Sequence, residues 1–118
     1  MPFGTPGGDT QVQANLQFLL SHLEFAMPLQ DAIEAPRLVT HSHPDSFAPH
    51  QASPGRLTIE GRVPEDICDE LADRGHDLER LADWTHAVAG VCAVRKNTDT
   101  GLIEGGADPR RTSRSMAW

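Results

Sequence analysis

Tyrosine is absent from this sequence, tryptophan occurs twice and phenylalanine four times, so any core it builds must be assembled from aliphatic side chains. Aromatics bury more area per residue than any other type. With only 38% of the chain apolar, the core is expected to be thin and to lean on a partner. Cations are scarce too: ten Lys and Arg stand against seventeen acids, and the net charge of −7 repels a phosphate backbone, which excludes nucleic acid as a partner. No apolar run approaches the ~18 residues that cross a bilayer. The first residues lack the basic-then-apolar order of a secretory signal, so no membrane role is read and the compartment stays unassigned. Cysteine is limited to Cys68 and Cys92, with no CxxC spacing. Neither a zinc site nor a redox pair is indicated; both read as buried free thiols, with a single disulfide left open.

At 118 residues the chain has room for one core. Ten Gly and nine Pro favour turns without amounting to low complexity. Met1-Pro2-Phe3-Gly4 leads straight into the turn Thr5-Pro6-Gly7-Gly8-Asp9-Thr10 and leaves no room for a preceding strand, as if the reading frame began upstream. Val12, Leu16, Leu19, Leu20 and Leu23 then recur with the period of one helical face, predicting a helix to about Phe25 that buries those leucines. Asp9 or Thr10 is placed to cap it, and Gln11, Gln13 and Gln17 tolerate helix well. A shorter helix opens at Pro28, turns Leu29, Ala32 and Ile33 inward, and is stopped by Pro36.

Thr40 to Pro54 has no apolar period and reads as an exposed loop. Leu57 to Glu60 predicts a strand, and Pro64 opens a third helix with Glu65 and Asp66 in its first turn, Ile67 and Leu71 on its inner face and Gly75 closing it. Beyond it His76–Leu81, Val88–Arg95 and Leu102–Gly105 read as strands, the last two joined by a turn over Asn97–Gly101. Helices followed by strands, with no repeat and no break in composition, make residues 1–118 a single partial domain of the α+β class with no internal boundary. Helices cover one face of a three- or four-stranded sheet; nothing in the chain is left to cover the other.

Gly7-Gly8 ahead of a helix is the strongest local signal. Two residues without Cβ can turn both backbone N–H groups toward one point, and the positive end of the helix dipole reinforces the field there. Such a place suits a phosphate, a carboxylate, or the oxyanion of an acyl-transfer step. On spacing alone a plain tight turn before a helix is the better reading. His41, His43 and His50 lie in a Pro- and Ser-rich loop without metal-ligand context, so no metal is assigned. No serine has a nucleophile elbow. Asp108-Pro109-Arg110-Arg111 reads as a turn in which Asp108 accepts local backbone bonds and the arginines stay solvated. Trp118, as an aromatic last residue, is expected to dock at least half buried.

Three ordered segments carry a family resemblance. Phe3-Gly4-Thr5-Pro6-Gly7-Gly8-Asp9-Thr10-Gln11, Ala32-Ile33-Glu34-Ala35-Pro36-Arg37 and Gly105-Gly106-Ala107-Asp108-Pro109-Arg110-Arg111 are similar, in order and rough spacing, to segments of γ-glutamyltransferases, in the C-terminal part of the small catalytic subunit. The resemblance implies part of an N-terminal nucleophile hydrolase fold, an αββα sandwich made by a self-cleaving precursor. It implies no cofactor. In that family the freed N-terminal threonine of the small subunit attacks the γ-glutamyl carbonyl of glutathione-type amides, with its own amine as base. The backbone N–H groups matching Gly7 and Gly8 then form the oxyanion hole.

The departures matter as much. No threonine here stands in the Thr-Thr-His processing context, so the nucleophile is not in this chain, and the groups that grip the substrate's α-carboxylate and α-amine lie upstream. The partners implied are the large subunit and the N-terminal part of the small one, and the chain alone is expected to be inactive. Two other readings stay open. One is a related acylase of the cephalosporin or glutaryl type. The other is a non-enzymatic truncated paralogue whose helix end holds an anion.

Overall fold

The structure, a computed structural model, describes residues 1–116, so the expected docking of Trp118 lies outside the described residues. In chain order the elements are β1 (Phe3–Gly4), α1 (Thr10–Leu19) running into a π-helical turn (Leu20–Glu24), α2 (Leu29–Glu34), β2 (Leu38–Thr40), β3 (Arg56–Glu60), α3 (Glu65–Asp73), β4 (Asp77–Leu81), a 3₁₀ turn (His86–Val88), β5 (Cys92–Lys96) and β6 (Ile103–Ala107). The α+β class holds. Instead of one sheet there are two of three strands, ordered β1-β5-β6 and β2-β3-β4. The first is antiparallel throughout; in the second β3 runs parallel to β4, with α3 as the crossover between them. The expected lack of room before the first turn is corrected: Phe3 and Gly4 pair with Ala93 and Cys92 as a two-residue edge strand.

Helix α1 forms where the periodicity places it, but the opposite face is buried. Ala14, Phe18 and His22, at i, i+4 and i+8, pack on the first sheet, while Val12, Leu16, Leu20 and Leu23 stand 75, 55, 45 and 66% exposed. Both faces carry apolar residues at helical spacing, and the richer one points to solvent. Ala14 explains the choice: its small side chain lets the helix approach the sheet so that Phe18 can stack on His22 and meet Phe3 at 5.5 Å between ring centroids. The expected side-chain cap is absent. Thr10 Oγ1 donates to Gly7 O, and the Asp9 carboxylate is occupied elsewhere.

Helix α2 behaves as predicted, burying Leu29, Ala32 and Ile33 against β5 and β6. Gly106 permits this contact, because a Cβ there would collide with Ile33 Cδ1. In α3 the buried residue is Cys68, with Leu71 partly buried and Ile67 43% exposed, so the inner face is rotated from the expected one. Gly75, at φ +93°, closes α3 with bonds from its N–H to Ala72 O and from His76 N–H to Leu71 O. Both cysteines are free; Cys92 is only partly buried. The strand expected from Val88 starts at Cys92, since the chain first makes the 3₁₀ turn and passes Ala89 at φ +69°. Val94 and Ile103, on the sheet face turned away from α1 and α2, are 37 and 42% exposed, in line with the expected uncovered face.

The two sheets are joined by a pair of glutamines. Edge strand β2 has backbone groups with no strand beside them, and α1 supplies the partners. Gln13 accepts from Thr40 N–H at 2.8 Å and donates to Thr40 O at 3.1 Å. Gln17 does the same with Leu38 at 3.0 and 2.9 Å. One helical turn matches two residues of strand, so these side-chain amides stand in for a missing strand and close the edge.

Candidate functional site

The chain turns sharply at Gly7 and Gly8, with φ +144° and +57°. The first value lies where only glycine is comfortable. A Cβ on Gly7 would also fall 2.6 Å from Thr10 Oγ1 and 3.0 Å from Ala89 Cβ, so glycine is required twice over. Gly7 and Gly8 carbonyls start the helix by accepting from Thr10 and Gln11. Their own N–H groups donate to no hydrogen bond among the described residues. Both residues line a cavity of about 710 Å³ whose far wall is Val39 and Thr40 of β2 and the loop that follows, as far as Pro49. That loop is tied to the turn: Ser46 donates its backbone N–H to Asp9 Oδ2 at 2.7 Å and its hydroxyl to Asp9 Oδ1 at 2.5 Å. These two bonds hold the Asp9 carboxyl below its usual pKa.

The histidines singled out in the sequence do not converge. His41 Nε2 lies 3.1 Å from Thr58 Oγ1, whereas His50 Nδ1 meets Asp45 O within its own loop at 2.8 Å. Among the described residues no group of His, Cys, Asp and Glu is arranged to hold a metal.

Sequence reasoning missed the buried charge cluster. Arg110 is not solvated: its guanidinium and the side chains of Glu60 and Asp108 have no exposure, and Arg37 retains 2%. Arg110 grips Glu60 with Nε at 2.7 Å and Nη2 at 2.6 Å, and reaches Asp108 Oδ1 with Nη1 at 3.1 Å. Arg37 Nη1 meets Asp108 Oδ2 at 2.8 Å. Remaining donors go to the last carbonyls of α2, Arg37 to Ile33 O and Arg110 to Ile33, Glu34 and Ala35 O, where a cation suits the negative end of the helix. The expected local bond is present, from Arg110 N–H to Asp108 Oδ1 at 2.9 Å. Burial alone would raise the Glu60 carboxyl; the hydrogen bonds from Arg110 and from the Arg37 N–H, with the charges of Arg110 and Arg62, outweigh it and hold the pKa below its ordinary value. Burial and the neighbouring Arg110 lower Arg37, with Asp108 offsetting part.

This cluster reaches the glycine turn through the segment that follows the 3₁₀ turn. Asp108 Oδ2 accepts from Val91 N–H at 3.0 Å, and Gly90 N–H donates to Thr5 Oγ1 at 2.8 Å. Ala89, between these anchors, is the residue whose side chain crowds Gly7. The only signal for this in the sequence was that Arg37 and Asp108-Pro109-Arg110 sit in the segments that carry the resemblance.

The family model for gamma-glutamyltranspeptidase matches residues 1–118. The chain is 32% identical to the oxamate amidohydrolase proenzyme of Klebsiella pneumoniae over 118 residues, covering all of this chain and 21% of that protein. It is 31% identical to the glutathione hydrolase-like YwrD proenzyme of Bacillus subtilis over 109 residues, covering 92% of this chain and 19% of that one. Among solved structures, cephalosporin acylase from Bacillus halodurans superposes with a TM-score of 0.83 at 27% identity, over 99% of this chain and 20% of that one. The chain thus spans about a fifth of the length of the relatives it matches.

Proposed function

Since the chain belongs to the gamma-glutamyltranspeptidase family along its whole length, we propose that it is the C-terminal part of the small catalytic subunit of an N-terminal nucleophile amidase, and that Gly7 and Gly8 supply the oxyanion hole. The observation that carries this reading is the pair of glycine amides at the start of a ten-residue helix, lining a cavity and donating to no acceptor among the described residues. In the reaction, a threonine hydroxyl from the preceding part of the subunit attacks the amide carbon. The carbonyl oxygen takes up negative charge that two N–H donors and the helix end stabilise, the amine leaves, and water or a second amine resolves the ester. The isolated chain holds no threonine in the Thr-Thr-His context and is inactive on this reading. Substrates are γ-glutamyl amides such as glutathione. A second reading, an acylase taking a glutaryl-type side chain, draws support from the likeness to cephalosporin acylase and from the apolar side chains of Val12, Val39 and Phe47 in the cavity wall.

The test is kinetic, in the full-length autoprocessed enzyme that carries this segment. Gly7→Ala forces a Cβ onto Thr10 and Ala89 and shifts the donors, so kcat falls about 10² to 10³-fold while self-cleavage still occurs. Gly8→Ala meets only Phe47 Cε2 at an ordinary 3.5 Å, which leaves the strain of an alanine at φ +57° as its main cost, and kcat falls less. Unchanged kcat in Gly7→Ala removes the oxyanion assignment.

A further inference from the structure

The loop from His41 to His50 is more than a connection. It is braced at its base, where His41 N–H donates to Arg56 O at 3.1 Å and Ser53 N–H to His41 O at 2.7 Å. It is braced internally by His50, whose N–H reaches Phe47 O and whose Nδ1 meets Asp45 O, both at 2.8 Å. At its tip it is held by the two Ser46 bonds to Asp9, the residue that follows Gly8. The consequence is the position of Phe47. Its ring lies beside Gly8, 3.5 Å from where a Cβ on that residue would stand, yet is 69% exposed, because it faces the cavity. Val12, Val39, Pro44, Ala48 and Pro49 continue the apolar wall. The charged residues along it are Asp9 and Asp45, with His41 and His43 beside them and no Lys or Arg, so an anionic substituent entering here meets no fixed cation from this chain.

We propose that this loop is the specificity wall of the acyl-transfer site, with Phe47 packing on an uncharged apolar group attached to the scissile amide, and with Asp9 as the positioning residue that holds Phe47 there through Ser46. The inference rests on the oxyanion reading of Gly7 and Gly8. It selects amides that carry an aliphatic or aromatic group close to the carbonyl, on the acyl or the amine side, over those that place a second carboxylate there.

Two substrate series measured with the full-length autoprocessed enzyme decide it. One keeps the acyl group and changes the amine from ammonia to an anilide; the other keeps the anilide and changes the acyl group from γ-glutamyl to an unbranched aliphatic chain. Phe47→Ala raises KM about tenfold, the range that loss of a few apolar contacts produces, for the members that carry the apolar group in one series, with kcat little changed and the other members unaffected. Phe47→Leu recovers part of the loss. Asp9→Ala reproduces the same KM pattern by releasing Ser46 and with it Phe47, and the double variant Asp9→Ala/Phe47→Ala is no worse than Phe47→Ala. Equal effects on every substrate, or none, overturn the proposal. If the wild-type enzyme turns over no amide, both readings fall together; if it does so and Gly7→Ala lowers kcat while Phe47→Ala does not discriminate, only this one falls.

Discussion

Arg110 closes a two-point ion pair on Glu60, Nε to Oε1 at 2.7 Å and Nη2 to Oε2 at 2.6 Å, with both side chains fully removed from water. The pair spans from the C-terminal segment to the end of β3, and the same guanidinium ties both to the last turn of α2. A bidentate fork satisfies nearly every donor that burial would otherwise strand. Removing one partner leaves a buried charge unpaired, which costs roughly 3 to 5 kcal/mol. Arg110→Ala is therefore expected to shift the urea midpoint far down, read from Trp84 fluorescence, since the Trp84 ring lies against Arg62 and near Arg110. Arg110→Lys does not restore it, because a single ammonium cannot make the fork. A midpoint within experimental error of wild type for either variant contradicts this account.

The same pair gives the fold an acid limit. Glu60 binds its proton more weakly in the fold than in the unfolded chain, because Arg110, the Arg37 N–H and Arg62 favour the carboxylate more than burial disfavours it. Its contribution to stability is complete above the ordinary glutamate range and is lost as pH falls through the lower folded value. Denaturation midpoints taken downward from pH 7 should stay level until about pH 5 and drop below about pH 4. In Glu60→Gln the part of that slope due to Glu60 is missing. A slope identical in the two proteins rules Glu60 out as its source.

The glutamine pair on α1 makes a prediction about donors alone. Each of Gln13 and Gln17 both gives and takes a hydrogen bond with β2. Gln17→Glu keeps the shape and the acceptor but loses the donor and sets a carboxylate against Leu38 O, so it costs about 1 to 3 kcal/mol at neutral pH and much less once the carboxyl is protonated. Gln17→Met, which removes both partners, exposes the Leu38 groups at all pH. Amide exchange at Leu38 reports it: protection there falls in the Gln17 variants, while Thr40, held by Gln13, and strands β3 and β4 remain protected. Unchanged exchange at Leu38 denies the glutamines their bridging role.

The elements whose local chemistry was decisive could be read from the residues. Pro28, Pro36, Pro64 and Gly75 bound α2 and α3 where expected, and Asn97 with Gly101, at φ +75°, forms the hairpin turn. What local pattern cannot choose is which of two apolar helix faces meets a sheet, and that was the error on α1, where Ala14 and Phe18 outweigh four leucines and valines. Sheet count failed for a related reason. Strand β2 is three residues long and completed by glutamine side chains, so it has no pattern of its own. The turn at Gly7 and Gly8 was legible because backbone conformation is written in residue type. Arg37, Glu60, Asp108 and Arg110 were not, since only the fold brings residues that far apart in sequence into one dry cluster.

The outward stripe of α1 carries the last prediction. Val12, Leu16, Leu20 and Leu23 run along one face of the helix and its π-helical extension, and Phe25, just past its end, is 74% exposed. A contiguous apolar strip of this kind is typical of a surface that meets another protein surface, and the relatives this chain matches are about five times its length. On the proposed reading the strip lies against the rest of the enzyme. The 118-residue chain on its own should then self-associate. Leu16→Gln with Leu23→Gln should yield a monomer by sedimentation with unchanged far-ultraviolet circular dichroism, since neither side chain enters the core. In the full-length enzyme the same pair of substitutions should lower the yield of folded, cleaved subunits, because there the strip is covered. A wild-type chain that sediments as a monomer, or a full-length variant that assembles normally, would show that nothing packs on this face.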